Sequence, residues 1–387
     1  MSRILFLLSC YPGVGGIEKV TNYLANEFCK VHHVVIASQM RIENKPMLDA
    51  LDKRVKFFKL PDEKNPLAKE NVAIVNAIIE EENINRIIYQ DSYSPFFRIL
   101  GLINSNPCKK LKVIVVEHNA PMCFLSNYID YIRSLKFNTF RNSMKKLLCP
   151  YKILKIYLSI SKQHQYTYNH CDYYILLSEA FKKEFSKLNF FRTSKIIAIS
   201  NPLTIEKFPV NENKENNLLF IGSINLRKGI DYLMRIWEEI EHNTTVWNLL
   251  ILGQGEDLSY VTKYIADHQL KHIKLLGYQS NIIPYLQESK CLLMTSRYEG
   301  FGLVLVEAMA YGCVPFAFKS FAAVNDILTS DTGILIKPFD CEEYSKELMD
   351  LINDTERWHS MSKNCIQRAR TVFSMDKILA QWEKVLN

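Results

Sequence analysis

Hydrophobic positions along the chain alternate between two rhythms. Short apolar runs of about four to eight residues suit buried strands, and they trade places with stretches whose apolar residues recur at helical spacing. Residues 3–9 open as a buried strand and break into the turn Pro12-Gly13-Val14-Gly15-Gly16. Val20, Tyr23, Leu24 and Phe28 then fall at helical spacing. Further strands are predicted at 34–38, 55–60, 86–90, 112–116, 173–177 and 196–199, with helices over 73–82 and 180–188. Asn201-Pro202 and the polar run 211–217 interrupt this pattern as a linker. Strands then resume at 218–222, 247–252, 273–276, 291–295, 314–318 and 333–336, with helices over 231–240, 258–268, 342–353 and 356–371. A final amphipathic stretch, 376–386, places Ile378, Leu379, Trp382, Val385 and Leu386 on one face.

Strands alternating with helices form parallel sheets, so the chain is expected to be α/β. Its 387 residues fit two domains of roughly 100–200 residues each. The expected boundaries are 1–200 and 201–371, with 372–387 closing the first domain. Ligands of such sheets bind beyond the carboxyl ends of the strands, where the Gly13–Gly16 turn and the turn carrying His118 both lie.

Composition narrows the function classes. Hydrophobic residues make up 48% of the chain, enough for real cores and against disorder. The net charge of +7 is too mild to imply nucleic acid by itself and suits an anionic ligand or an anionic membrane surface. The ten cysteines include no CxxC pair and no zinc spacing with histidine, so reduced cysteines in a cytosolic protein are expected. The apolar run Ile4–Leu8 before Ser9-Cys10 is too short for a signal sequence. No apolar run approaches the roughly 18 residues that a membrane-spanning helix needs.

The strongest chemical signal is the segment from Thr295 to Gly312. A strand is expected to end near Ser296 and a helix to run from about Gly302 to Gly312. Gly300 and Gly302 let backbone approach a ligand closely. The first N–H groups of the helix, around Leu303, lack internal partners and with the helix dipole suit a diphosphate. Glu299 in the turn and Glu307 inside the helix would be repelled by a diphosphate but can accept hydrogen bonds from sugar hydroxyls: Glu299 from a transferred sugar, Glu307 from a ribose. Glu307 is flanked by Val304, Leu305, Val306, Ala308 and Met309, and an acid in that setting needs a partner.

Glu299 and Glu307, with seven residues between them in a Glu-Gly-Phe-Gly-Leu context, resemble the E-x7-E motif of family 4 retaining glycosyltransferases. Gly15-Gly16-Ile17-Glu18-Lys19-Val20 resembles that family's N-terminal glycine loop, and Phe220-Ile221-Gly222 through Arg227-Lys228-Gly229 its phosphate-binding segment. Glu117-His118-Asn119 resembles a central histidine near the sugar, and Asn201-Pro202 the usual hinge. The resemblance covers nearly the whole chain. It implies the GT-B fold: two Rossmann-like domains with parallel sheets facing across a cleft, and a C-terminal helix crossing back to the N-terminal domain.

The implied site follows residue by residue. Gly15, Gly16, Ser223, Arg227, Lys228, Glu299, Gly300, Phe301, Gly302, Leu303 and Glu307 would bind the nucleotide-sugar donor, and His118, Glu299 and Lys228 would serve catalysis. His118 would hydrogen-bond the sugar rather than act as a general base. Lys228 would stabilise charge on the leaving diphosphate. The family usually carries arginine where this chain has Ser223, which leaves Arg227 to supply that charge. The Rossmann G-x-G-x-x-G pattern fails, because Glu18 stands where its last glycine belongs. No Asp-x-Asp occurs, so no metal and no cofactor is expected.

The stretch from Tyr131 to Cys171 contains no Asp or Glu. It holds Arg133, Lys136, Arg141, Lys145, Lys146, Lys152, Lys155 and Lys162, interleaved with residues such as Phe137, Phe140, Tyr151, Leu154 and Leu158. Such mixing suits an anionic membrane face, whereas the plainer reading packs the apolar residues on their own domain. Together these features predict a cytoplasmic enzyme, peripheral on the membrane. The resemblance implies that it would move a hexose or N-acetylhexosamine from a nucleotide sugar, UDP-linked with GDP-mannose open, to a saccharide or lipid-linked acceptor. A nucleotide-sugar epimerase or hydrolase of the same fold, and a non-catalytic nucleotide-sugar-binding subunit, are the alternatives.

Overall fold

The computed structural model describes residues 1–90, 95–103, 111–134, 140–186, 193–205, 211 and 213–387. They divide into two compact units, one of Met1–Thr204 with Ile378–Asn387 and one of Ile205–Lys377. Each is a parallel sheet with helices, so the chain is α/β with two Rossmann-like domains.

The first unit contains β1 (Arg3–Cys10), β2 (His33–Met40), β3 (Lys56–Lys59), β4 (Arg86–Tyr89), β5 (Lys112–Glu117), β6 (Tyr173–Leu176) and β7 (Ile196–Ala198). Their order is β3-β2-β1-β4-β5-β6-β7, all parallel. The central strand β1 is apolar on both faces, and Ile4 through Leu8 are at most 1% exposed, as expected for a strand covered by helices on both sides. The last helix, Met375–Leu386, returns to this unit through the face anticipated from its sequence. Trp382 packs edge-on to Phe28 with ring centroids 5.9 Å apart. His32 Nε2 lies 2.9 Å from Glu383 Oε1, and Arg86 Nε donates to the Leu386 carbonyl at 2.7 Å.

The second unit contains β8 (Glu215–Ile221), β9 (Asn248–Leu252), β10 (Ile273–Gly277), β11 (Ser289–Met294), β12 (Val314–Phe318) and β13 (Ile334–Ile336). Their order is β10-β9-β8-β11-β12-β13. The strand order reverses between β1 and β4 in one unit and between β8 and β11 in the other, and ligands of open α/β sheets bind at such reversals.

Two local expectations need correction. The polar run read as linker ends early, because Glu215–Asn217 already belongs to β8. These polar residues find partners inside the fold: Asn248 Nδ2 donates to Asn217 Oδ1 at 3.3 Å, and the buried Lys214 donates to the carbonyls of Leu286 and Gln287 at 2.7 and 2.9 Å. The helix expected over 302–312 spans only Leu303–Ala310. It stops there because Gly312 adopts a left-handed φ of 68° and Cys313 N turns back to the Ala308 carbonyl.

Candidate functional site

The two loops leaving the reversal in the second unit carry most of the anticipated donor-binding residues. After β8 the chain runs through Gly222 and Ser223 to a short 3-10 turn, Leu226–Lys228. Asn225 starts that turn, its side-chain oxygen accepting from Lys228 N at 3.0 Å. Gly229, at φ 68°, ends it and admits the helix Ile230–Asn243. A Cβ on Gly229 would stand 1.9 Å from the Thr295 carbonyl oxygen. The β8 loop is therefore pressed against the end of β11, where the Thr295 hydroxyl donates to the carbonyls of Lys228 and Gly229 at 3.1 and 2.9 Å. Gly229→Ala is expected to cost at least about 2 kcal/mol, from backbone strain and displacement of this loop; a thermal melt showing no loss of stability would refute that.

Glu299, in the loop after β11, is only 7% exposed. The Lys228 ammonium donates to its Oε1, Ser296 Oγ donates to the same oxygen at 2.7 Å, and Arg227 Nη1 stands 3.9 Å from Oε2. Burial alone would raise the Glu299 carboxyl. The cations Lys228 and Arg227, with the hydrogen bonds from Lys228 and Ser296, outweigh it and hold the carboxyl below its ordinary value. The sequence assigned Lys228 to the diphosphate and Glu299 to the sugar as separate tasks. The structure makes them one pair.

Arg227 lies with its guanidinium 5.7 Å from the Tyr298 ring centre, and Ser223 is exposed. The helix start follows Gly302, whose φ of 84° excludes most side chains. Gly300 and Leu303 are half-buried beside it. Phe301 turns inward, its ring 6.1 Å from that of Phe373, which leaves only its backbone for a ligand. Glu307, in the second turn, is 4% exposed rather than a solvated surface acid.

Arg297 escaped the sequence reading. Its guanidinium grips Asp231 with two bonds of 2.7 and 2.8 Å, donates to the Leu226 carbonyl, and stacks 4.3 Å from the Tyr232 ring centre. Its backbone N–H also donates to the Arg227 carbonyl at 2.9 Å. This residue fastens the Lys228 turn to the Glu299 loop. Asp231 lies 66 positions away, so no local pattern announces the pair.

The first unit places its own candidates at the carboxyl edge of its sheet. Gly15 precedes the helix Gly16–Phe28, and Glu18 folds back over it, so that a Cβ on Gly15 would stand 2.5 Å from Glu18 Oε2. An anion at that helix start meets this carboxylate first. His118 follows β5 and is 8% exposed, its Nε2 lying 2.6 Å from Gln90 Oε1. Burial pushes the His118 imidazole down to about 3, so the ring is neutral at pH 7. Next to it Glu117 is fully buried, accepting from Tyr174 Oη at 3.1 Å and from Asn119 N at 3.1 Å. His164 Nδ1 is 2.8 Å from the same tyrosine oxygen, and burial pushes its imidazole down to about 4.

His164 belongs to the helix Cys149–Asn169, part of the acid-free stretch. Its inner face buries Ile160, His164, Thr167 and Tyr168. The outer face leaves Tyr151, Leu154 and Leu158 at 67%, 55% and 44% exposure, following Leu147 at 72%. Lys152, Lys155 and Lys162 are exposed beside them. Packing on the unit's own core therefore accounts for one face only. Lys136 and Phe137 lie outside the described residues, as do the side chains of Tyr131, Arg133, Phe140 and Arg141. Among the described residues no helix is long and apolar enough to cross a membrane.

Residues 203–371 match the sequence family of glycosyl transferases group 1. The chain is 27% identical to an uncharacterized glycosyltransferase of Haemophilus influenzae over 394 aligned residues, covering 100% of both chains. Among solved structures, S. aureus TarM, in complex with fondaparinux, alpha-GlcNAc-glycerol and UDP, superposes with a TM-score of 0.76 at 15% identity over 100% of both chains. Anabaena HepE, in complex with UDP and glucose, superposes with a TM-score of 0.75 at 16% identity over 100% of this chain and 99% of that one. The chain thus has the GT-B fold, and its residues 203–371 match the family of glycosyl transferases group 1.

Proposed function

We propose that the protein transfers a hexose or N-acetylhexosamine, with retention and without a metal, from a UDP-sugar to a saccharide or lipid-linked saccharide in surface polysaccharide or glycolipid synthesis. The buried Lys228–Glu299 pair, set between the β8 loop and the helix start at Gly302, carries this reading. A diphosphate would draw on Lys228, Arg227 and the first free N–H groups of the helix, which together do the electrostatic work a metal does elsewhere. Glu299 would then turn to hydroxyls of the transferred sugar, and Glu307 would receive the ribose. The nucleotide in both structural neighbours is UDP, which supports UDP here.

A panel of UDP- and GDP-sugars, assayed with lipid-linked acceptors in the presence of EDTA, tests the reading. Acceptor-dependent UDP release, with an anomeric configuration matching the donor's, supports it. Conversion of donor without acceptor marks an epimerase or hydrolase instead. Binding without turnover marks a non-catalytic subunit, the reading that Ser223 favours by leaving the phosphate one arginine short.

The acid-free helix is proposed to seat the enzyme peripherally on the cytoplasmic leaflet, where a lipid-linked acceptor resides. Tyr151, Leu154 and Leu158 would enter the headgroup region, and Lys152 and Lys155 would meet anionic lipid. Each such lysine contributes about 1 kcal/mol, so K152Q/K155Q should lower partitioning onto phosphatidylserine vesicles about 30-fold. Unchanged co-sedimentation with those vesicles removes the membrane role.

A further inference from the structure

Gln90 directly follows β4, at the strand-order reversal of the first unit, and its backbone N–H donates to the Leu7 carbonyl of β1 at 3.1 Å. Its side chain is fully buried. Oε1 contacts His118 Nε2 at 2.6 Å, while the amide Nε2 finds no hydrogen-bond partner among the described residues. A buried amide donor without a partner destabilises a fold, and native proteins tolerate few of them. The Gln90 amide thus makes its one side-chain hydrogen bond among the described residues with His118.

An amide oxygen can only accept, so contact with Oε1 requires a proton on His118 Nε2. A neutral imidazole carries one N–H, which leaves a lone pair on Nδ1. We propose that Gln90 is a positioning residue that fixes His118 as the Nε2–H tautomer, so that Nδ1 is presented as an acceptor to a sugar hydroxyl. This rests on the reading of His118 as a sugar contact. An amide suits the task better than a carboxylate. A carboxylate would also orient the ring but would favour the imidazolium, which can accept nothing.

The tautomer of His118 can be measured directly by two-bond 15N–1H correlation NMR on histidine-labelled protein, with H118N identifying the resonance. The wild type should show Nε2–H, and Q90M should shift to a mixture of both tautomers. Q90M removes one unpartnered donor but takes the acceptor from His118 Nε2–H, so the two effects offset and it should melt close to wild type. Its kcat should nevertheless fall about tenfold or more, with the donor KM little changed. A wild-type Nδ1–H tautomer, or tautomer populations unmoved by Q90M, overturns the proposal. So does a Q90M protein that loses stability and keeps its kcat, since that marks a structural residue. The NMR result decides the proposal without any transfer assay, so failure of the glycosyltransferase reading would register separately.

Discussion

Glu299→Ala should lower kcat for sugar transfer about 100-fold while leaving UDP affinity unchanged or slightly tighter. The loss follows from removing hydrogen bonds between a charged group and the transferred sugar, worth about 1.5–3 kcal/mol. Retained UDP affinity follows from the Lys228 contact: with Glu299 gone, its ammonium is left for the diphosphate alone. Glu307→Ala should do the reverse and weaken UDP binding, because that buried acid is assigned to the ribose. Calorimetric titration with UDP beside steady-state transfer rates separates the two. Wild-type behaviour in both variants would place the sugar elsewhere.

Lys228→Met should be the more damaging change, because it strips the counter-charge from a carboxylate that is 7% exposed. Breaking a buried pair from one side costs about 3–5 kcal/mol, and UDP affinity should fall with it. Adding Glu299→Gln should restore much of the stability and none of the activity; a double variant no more stable than Lys228→Met alone would show that the pair is not coupled. The pH dependence has a definite sign. Wild-type Glu299 titrates below its ordinary value, so its contribution is present above an unfolded pKa of about 4.3 and is lost as pH falls through the lower folded one. In Lys228→Met the carboxyl moves up, since burial is no longer offset by that cation. The deficit against wild type should be widest near neutrality and narrow below about pH 4. Melting curves of the two proteins between pH 3 and 8 would check this, and a constant deficit would contradict it.

The sheets were legible because buried parallel strands are continuous apolar runs, as in Ile4–Leu8 and Leu249–Leu252. The turn with Gly300 and Gly302 and the helix start after it were legible because a strand-turn-helix needs particular residues at fixed offsets, whereas Gly229 entered only through the family resemblance. What escaped was whatever depends on distance in the chain. Arg297 reaches Asp231, Glu117 reaches Tyr174, and Gln90 reaches His118, and none of these pairs has a local signature. Polar residues inside elements misled for a related reason. Glu215–Asn217 read as linker because the partners that let them sit in a strand come from elsewhere, as Asn248 does for Asn217. The helix Cys123–Ser134 was not read from the sequence.

The return of residues 378–387 to the first unit has a consequence for biosynthesis. The docking surface for Trp382 and Leu386 is translated early, but the residues that cover it leave the ribosome only after all of 205–377. At about 5–20 residues per second, the 300 positions between Arg86 and Leu386 keep that surface waiting roughly fifteen to sixty seconds for its cover. The second unit can therefore mature while its neighbour is still incomplete, and nascent chains stalled near residue 377 should be the form most dependent on chaperones.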